Sequence, residues 1–331
     1  MNHSTPLPTA GCVAPPLDPE LVPILEMMLE ALPAIGDDTI AQLRELSTHG
    51  VPGTDKVDLT AAGNVRVEES TIPGGENGLE LALTVLSPMT GTGPWPLIYY
   101  IHGGGLIAGD RHLSLGTFVP YAADGSAVVA SIEYRLAPEN PDPAPVTDCY
   151  TGLCWCVENA ERLGLDPEHI IITGTSAGGL LAAGTALLAR DRGYPHVTHQ
   201  VLSCPMLDDR MQTPSARMLD GGTIWDRNDN LYGWTALLGD RRGTDDVSPY
   251  AAPARAKDLS GLPRTYIDVG TVETFRDEIV DYAQRLSLAG VSVDLHLWGG
   301  GFHGFDVHPQ PAISQAARAT RDEYFRRALE R

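Results

Sequence analysis

The chain has 331 residues with a formal net charge of −20 at pH 7, and hydrophobic residues make up 43% of it. Surfaces that bind nucleic acid or anionic membranes need clustered Lys and Arg, so we exclude nucleic acid as a partner and expect no stable membrane anchoring. The apolar content suffices for a large core, and 35 Gly with 26 Pro indicate the many turns of an α/β protein rather than a helical bundle.

The N-terminal sequence and the cysteines bear on the cellular compartment. No Lys or Arg precedes Arg44, so the charged start of a signal peptide is missing, and no apolar run approaches the roughly 18 residues that a membrane span needs. The five cysteines show no zinc-ligand spacing, and we interpret them as buried free thiols in a reducing compartment. These features predict a cytoplasmic protein.

The first part of the chain is a polar, Pro-rich stretch, residues 1–17, which we predict to be mobile. Apolar residues then recur at helical spacing over residues 21–32, and a second helical pattern covers residues 37–46. Two amphipathic helices here predict an N-terminal cap within residues 1–50, on a main domain that comprises residues 51–331. Helices that simply pack on the core are the alternative at this point.

Strand-like runs follow the N-terminal helices in a regular series. They cover residues 65–70, 79–86, 97–101, 127–134, 170–173, 201–203, 265–269 and 293–298. Helical patterns among and after the later strands cover residues 146–163, 177–190, 275–288 and 312–329. Strands that alternate with helices predict a mostly parallel sheet of about eight strands with helices on both faces. The first strands lack intervening helices, so we expect them to pair antiparallel at one edge.

Residues 205–260 break this alternation of strands and helices. The segment is rich in Asp, Arg, Gly and Pro, and it contains the aromatic residues Trp225, Tyr232 and Trp234. We interpret it as an insertion beside the active-site end of the sheet.

A G-x-S-x-G motif, Gly174-Thr175-Ser176-Ala177-Gly178, lies between a predicted strand and a predicted helix. The motif alone is a weak signal, but strand, turn and helix in this order are the setting of a nucleophile elbow. The sharp turn leaves no room for side chains two positions on either side of the serine, which explains the two glycines. Ser176 is therefore the candidate nucleophile, with its hydroxyl at the N-terminus of the helix.

Three consecutive glycines follow the third predicted strand, in His102-Gly103-Gly104-Gly105. Glycines let the backbone approach a ligand closely, and their N–H groups can then point at one spot. An ester hydrolase has to stabilise the negative oxygen of a tetrahedral intermediate. We predict an oxyanion hole from the N–H groups of Gly104, Gly105 and Ala177, with Gly103 as a further candidate.

These two motifs together resemble those of the hormone-sensitive-lipase-like esterases, a bacterial family marked by HGGG and G-[DT]-SAGG. Three more blocks are similar to the family's, at residues 133–139 (EYRLAPE), 271–278 (TVETFRDE) and 302–305 (FHGF). The likeness covers roughly residues 65–310 in the family's order, with Thr175 where many relatives carry Asp. The resemblance implies an α/β-hydrolase fold, an N-terminal helical cap and hydrolysis of short-chain esters without a cofactor.

The order of a triad in this fold, serine then acid then histidine, restricts the partners of Ser176. The histidine has to lie late, on a loop after the last strand. His296 falls inside that strand and His308 lies farther on in a Pro-rich turn. His303 follows the strand among glycines and is the predicted base.

The acid is expected in the loop after the seventh predicted strand. Glu273 lies there at the loop-to-helix junction, where the family's motif usually has Asp, and it is the predicted acid. Asp277 on the following helix is the second candidate. His196 and His199 have a His-x-x-His spacing but no acidic or Cys companion nearby, so we expect no metal site there.

Together these residues predict a serine carboxylesterase that hydrolyses short- to medium-chain esters through an acyl-enzyme, with a small-molecule ester as its partner and no cofactor. A lactone hydrolase, a deacetylase or an amidase with the same triad is the nearest alternative. A non-catalytic receptor on the same fold is disfavoured, because His303 stands in its motif. A homodimer is a possible assembly, as in many family members. The predicted pocket walls are Met28, Leu106, Ile107, Leu207 and Trp225.

Overall fold

The computed structural model of the chain describes residues 13–49, 57–75 and 78–330. Most of the predicted mobile N-terminal stretch lies outside these residues, as do Cys12 and the predicted boundary between the cap and the catalytic domain. Within the described ranges, no helix is both long enough and apolar enough to cross a membrane.

An eight-stranded sheet organises the described residues. Its strands are β1 (Val65–Pro73), β2 (Glu80–Pro88), β3 (Trp95–Ile101), β4 (Val128–Ile132), β5 (Leu165–Thr175), β6 (His199–Ser203), β7 (Arg264–Val272) and β8 (Val293–Phe302). Their order across the sheet is β1-β2-β4-β3-β5-β6-β7-β8. The pairs β1–β2 and β2–β4 are antiparallel, and the remaining pairs are parallel. The prediction of a mostly parallel sheet with an antiparallel edge is confirmed.

Helices lie on both faces of this sheet and at the edge where its parallel strands end. They are α1 (Val22–Ala31), α2 (Ile40–His49), α3 (Val119–Ala123), α4 (Ala144–Glu158), α5 (Ala160–Leu163), α6 (Ala177–Arg192), α7 (Ser215–Met218), α8 (Arg227–Leu238), α9 (Arg276–Leu288) and α10 (Ala312–Glu330). The sequence pattern did not reveal α3, α7 and α8. The first two are only five and four residues long, and the buried stripe of α8 includes Asn230 and Gly233, which carry no hydrophobic signal.

The central strands are buried on both faces, as a parallel sheet requires. In β3, Leu97, Tyr99 and Ile101 belong to the larger core cluster, which also contains residues of α4, α6 and α9. The alternating residues Ile98 and Tyr100 belong to the cluster formed with α3 and α10. The period of two along the strand therefore divides its side chains between two separate hydrophobic layers.

Helix α6 lies at the centre of the larger layer. Every residue from Ala177 to Ala189 is buried, so the helix is covered on all sides rather than along one stripe. A helix enclosed in this way cannot shift without repacking its neighbours. The residue at its N-terminus, Ser176, is consequently held in a fixed position relative to the sheet.

The two predicted N-terminal helices are present as α1 and α2, and both contact the edge where the parallel strands end. Leu21 and Leu25 are buried in a small cluster with Phe302, the last residue of β8, and Phe305. The backbone N–H of Asp18 donates to the carbonyl of Gly300 at 3.1 Å. Helix α1 is thus packed against the loop that carries His303.

Candidate active site

Ser176 joins β5 to α6 in a sharp turn. Its backbone has φ 58° and ψ −121°, a conformation that a non-glycine residue adopts only where the surroundings enforce it. Its N–H donates to the carbonyl of Ser203 at 2.8 Å, which ties the turn to the end of β6. A Cβ at Gly174 or Gly178 would overlap backbone atoms of the turn or of the chain after β3. Both glycines are therefore sterically required, as the motif predicts.

The three predicted triad residues form one hydrogen-bonded chain. His303 Nε2 lies 3.0 Å from Ser176 Oγ, and His303 Nδ1 lies 2.8 Å from Glu273 Oε2. Ser176 and His303 are 127 positions apart in the sequence. They meet because β5, β7 and β8 are parallel and their carboxyl ends share one edge of the sheet.

Glu273 sets the orientation and the charge of the imidazole. Its buried carboxylate accepts a hydrogen from Nδ1, which selects the tautomer whose Nε2 lone pair points at the serine hydroxyl. Burial disfavours the imidazolium, but the Glu273 carboxylate, with help from Cys204, outweighs burial and raises the pKa of His303 well above its ordinary value. His303 is therefore a stronger base at this position than a free imidazole.

Asp277, the second candidate for the acid, has other partners. Its carboxylate accepts from the backbone N–H of Ser215 at 2.7 Å and from Arg276 Nε at 2.8 Å. These contacts attach α7 to the first turn of α9. Glu273, not Asp277, contacts His303.

The glycine loop after β3 faces the elbow. A Cβ on Gly103 would lie 2.9 Å from the carbonyl oxygen of Thr175, and Gly104 and Gly105 have φ of 109° and 63°. In the part of the chain that the structure describes, the N–H groups of Gly104, Gly105 and Ala177 have no hydrogen-bond acceptor. Ala177 lacks one because the first N–H groups of a helix have no intrahelical partner. The role of these three N–H groups as an oxyanion hole stays a prediction.

His102 and Tyr134 support the glycine loop from within the core. Their rings stack with centroids 4.2 Å apart, and His102 Nδ1 lies 2.8 Å from the carbonyl oxygen of Gly103. Burial lowers the pKa of His102, so the ring is neutral and donates to this carbonyl. The Tyr134 hydroxyl donates to the carbonyl of His102 at 3.0 Å. The sequence motifs contained both residues without indicating this supporting role.

Arg44 of α2 holds the far end of the same loop. Its Nε donates to the carbonyl of Ile107 at 2.7 Å, and its two terminal nitrogens form a bidentate pair with Glu139 at 2.8 Å. Nearby, the N–H of Gly109 donates to the Ser47 hydroxyl at 3.0 Å. Sequence reasoning missed these contacts because Arg44 is 63 and 95 positions from its partners.

Trp225 covers the glycine loop. A Cβ on Gly105 would overlap the Trp225 ring, and the ring centroid lies 6.3 Å from that of His303. Trp225 is 8% exposed. Its carbonyl accepts from Thr274 Oγ1 at 2.9 Å, and the next residue, Asp226, caps α8 with its side chain. The backbone at Trp225 and at the next residue is thus held in place, and this fixes the indole above the elbow.

The other predicted pocket residues lie deeper. Leu106, Ile107 and Leu207 are fully covered by protein, so a substrate would reach their side chains only after neighbouring groups move. Met28 is half-buried and packs against the small cluster that contains Phe302. Their contact with substrate stays a prediction.

Cys204 is a neighbour of the triad that sequence reasoning did not single out. Its sulfur lies within 4.8 Å of a ring nitrogen of His303, and burial raises the pKa of the thiol. The residue directly follows β6, the strand between β5 and β7. That position was the available signal, because residues just after such strands meet at one edge. Cys149, Cys154 and Cys156 are free thiols like Cys204.

The chain matches known proteins over most of its length. A family model described as alpha/beta hydrolase fold matches residues 98–307. The carboxylesterase NlhH of Mycobacterium tuberculosis is 34% identical over 311 residues, 91% of this chain and 93% of that protein. An arylesterase of Saccharolobus solfataricus is 31% identical over 89% of this chain and 94% of that protein. The solved structure of a bacterial heroin esterase superposes with a TM-score of 0.86 at 39% identity, covering 95% of this chain and 98% of that one.

The chain therefore belongs to the α/β-hydrolase fold family, in the hormone-sensitive-lipase-like branch that its motifs indicate. The relatives are named as a carboxylesterase, an esterase and an arylesterase. The protein is accordingly a carboxylic ester hydrolase, and the prediction of this enzyme class is confirmed.

Proposed function

We propose that the protein is a serine carboxylesterase that cleaves short- to medium-chain esters through an acyl-enzyme on Ser176. The observation that carries the proposal is the chain of hydrogen bonds from Ser176 Oγ through His303 to Glu273. A serine hydroxyl is a weak nucleophile, and an adjacent base that is itself oriented by a third group activates it. The same three groups in this order serve acyl transfer on unrelated folds.

In the first half-reaction, Ser176 Oγ attacks the ester carbonyl while His303 Nε2 takes the hydroxyl proton. The resulting imidazolium is stabilised by the Glu273 carboxylate 2.8 Å from Nδ1. His303 then gives the proton to the departing alcohol, and the acyl group remains on Ser176.

The negative oxygen of the tetrahedral intermediate needs donors that are already in place. The N–H groups of Gly104, Gly105 and Ala177 fill this role in the proposal, since they have no acceptor in the described part of the chain. Loss of one such donor costs about 3 kcal/mol of transition-state stabilisation. His102 and Arg44 act indirectly by holding the loop that carries the two glycines.

In the second half-reaction, water replaces the alcohol. His303 takes a proton from the water as it attacks the acyl carbon, and then returns a proton to Ser176 Oγ. The carboxylic acid leaves, and the triad regains its starting protonation state.

The proposed limit on the size of the acyl group rests on Trp225, which lies above the elbow. Trp225 lies against Gly105 and near His303, where bound substrate atoms would meet its ring. A fixed indole at this point leaves little room for a long chain, so we expect acetyl to hexanoyl esters to be preferred. The named activities of the relatives are consistent with esters as the substrate class.

A substrate panel tests the proposal. It consists of p-nitrophenyl esters from acetate to palmitate, aliphatic lactones and an anilide, each assayed with the wild type and with Ser176→Ala. We expect kcat/KM to be highest for the short esters and to be lost in the variant. Faster turnover of the lactones than of any ester would replace the carboxylesterase with a lactone hydrolase. Near-normal ester hydrolysis by Ser176→Ala would overturn the proposal.

A further inference from the structure

Cys204 completes a cluster with Glu273 and His303. The thiol sulfur, a carboxylate oxygen and a ring nitrogen of the three residues all lie within 4.8 Å of one another. The three residues are 7%, 1% and 9% exposed, respectively. We propose that this cluster is an inhibitory binding site for Zn²⁺ and similar thiophilic divalent ions. The inference rests on the proposed function, because it assumes that His303 is the catalytic base.

The donor set fits zinc rather than a hard cation. Thiolate, imidazole and carboxylate are the three side-chain ligand types that bind Zn²⁺. Mg²⁺ and Ca²⁺ prefer oxygen ligands and do not favour a thiolate. Neighbouring donors on a tetrahedral zinc ion are about 3.5 Å apart, given bonds of about 2.0–2.3 Å. Shifts of about 1 Å or less would therefore bring the three atoms of the cluster to coordination distance.

The backbone holds the thiol toward the histidine. Cys204 has a left-handed φ of 37°, and its N–H donates to the carbonyl of Asp268 at 2.8 Å. Pro205 follows directly and packs near Gly179 of α6. The backbone is thus fixed between β7 and α6, and because Cys204 is also buried, neighbouring atoms restrict the rotation of its side chain.

Zinc on this cluster stops the reaction whichever imidazole nitrogen it binds. Coordination at Nδ1 displaces the hydrogen bond to Glu273 and leaves the ring proton on Nε2, which then cannot accept the proton of Ser176. Coordination at Nε2 occupies the basic nitrogen itself. Binding of zinc also displaces the proton of the Cys204 thiol, which is released to solvent. The bound ion is therefore an inhibitor and takes no part in ester hydrolysis.

The test measures inhibition of p-nitrophenyl acetate hydrolysis by ZnCl₂ and MgCl₂ in the full-length wild type, Cys204→Ala and Cys154→Ala. Each variant is compared with its own metal-free rate. We expect Zn²⁺ to inhibit the wild type reversibly, with recovery on EDTA, and Mg²⁺ to have no effect. Cys204→Ala should need at least about tenfold more Zn²⁺ for half-inhibition. Cys154→Ala, which removes a half-buried thiol of α4, should respond like the wild type.

A second measurement requires no variant. Alkylation of the wild type with N-ethylmaleimide is followed at each cysteine by mass spectrometry, with and without Zn²⁺. We expect Zn²⁺ to slow modification of Cys204 and to leave Cys154 unaffected. Equal zinc inhibition in Cys204→Ala, or unprotected Cys204, would overturn the metal site while leaving the triad intact. Absence of Ser176-dependent hydrolysis in metal-free enzyme would instead overturn the proposed function.

Discussion

The floor and the cover of the site are built differently. The floor, which comprises the loops after β3, β5, β7 and β8, is attached to the sheet through backbone bonds and close glycine contacts, such as Ser176 N–H to Ser203 at 2.8 Å. The cover, which comprises α1, α2 and residues 205–260, is also attached to the floor through side-chain hydrogen bonds. Arg44 of α2, for example, donates from Nε to the carbonyl of Ile107 at 2.7 Å. In the proposed function, the chemistry depends on the floor, and we propose that substrate choice depends on the cover.

The largest effects are expected on the floor. Ser176→Ala and His303→Ala should each lower kcat for p-nitrophenyl acetate by at least about 10⁴-fold, because nucleophile and base act as one unit. The double variant should be no slower than either single variant, and circular dichroism should show an unchanged fold. Multiplicative losses in the double variant would mean that the two residues act independently, contrary to the 3.0 Å contact between them.

Glu273→Gln should lower kcat by about 10²- to 10⁴-fold, since the amide removes the charge that stabilises the imidazolium and can favour the wrong tautomer. Asp277→Asn is the matched control. It lies four positions away and contacts Ser215 rather than His303, so its kcat should stay within about threefold of the wild type. A larger loss in Asp277→Asn than in Glu273→Gln would exchange their roles.

The pH dependence probes the same pair without changing the fold. The neutral imidazole is the active base, so kcat/KM rises as pH increases through the pKa of His303. Because that pKa is raised, the acid limb of the wild type should lie above the value of about 6.5 for a free imidazole. Glu273→Gln leaves burial without the opposing carboxylate, so its limb should move to lower pH. If the acid limb of Glu273→Gln lies at the same pH as that of the wild type, Glu273 does not raise the pKa of His303.

Trp225→Ala probes the cover. Removal of the indole opens the space above Gly105, so the ratio of kcat/KM for decanoate to that for acetate should increase by about tenfold or more. Trp234→Phe is a control in the same segment, since Trp234 is fully buried in the larger core cluster, and it should leave the ratio unchanged. An unchanged ratio in Trp225→Ala would place the size limit elsewhere.

The smallest effect is expected from the link between cover and floor. Arg44→Met removes the hydrogen bond to Ile107 and the pair with Glu139, so the glycine loop is held less firmly. We expect kcat to decrease by about three- to tenfold with little change in KM, since positioning rather than substrate binding is lost. Arg327→Met, which breaks an exposed pair with Asp294, is the control and should behave like the wild type.

The floor could be predicted from the sequence because its signals are local. Short stretches of sequence reveal the glycines at 174 and 178 around Ser176 and those before His303. The alternation of strands and helices implies that the loops carrying them lie at one edge of the sheet. The cover could not be predicted in detail. The contacts of Arg44 and of Trp225 join segments that are far apart in the sequence, and no local pattern predicts contacts over such a separation. Cys204 was missed although its position directly after β6 places it at the same edge of the sheet.

Covalent labelling tests the central claim most directly. The wild type is treated with a fluorophosphonate, which mimics the tetrahedral intermediate, and the adduct is located by peptide mass spectrometry. We expect one adduct per chain on Ser176, with loss of esterase activity in proportion to labelling. Labelling should be much slower in His303→Ala and absent in Ser176→Ala. An adduct on a different residue that accompanies the loss of activity, or full activity after complete labelling of Ser176, would contradict the account.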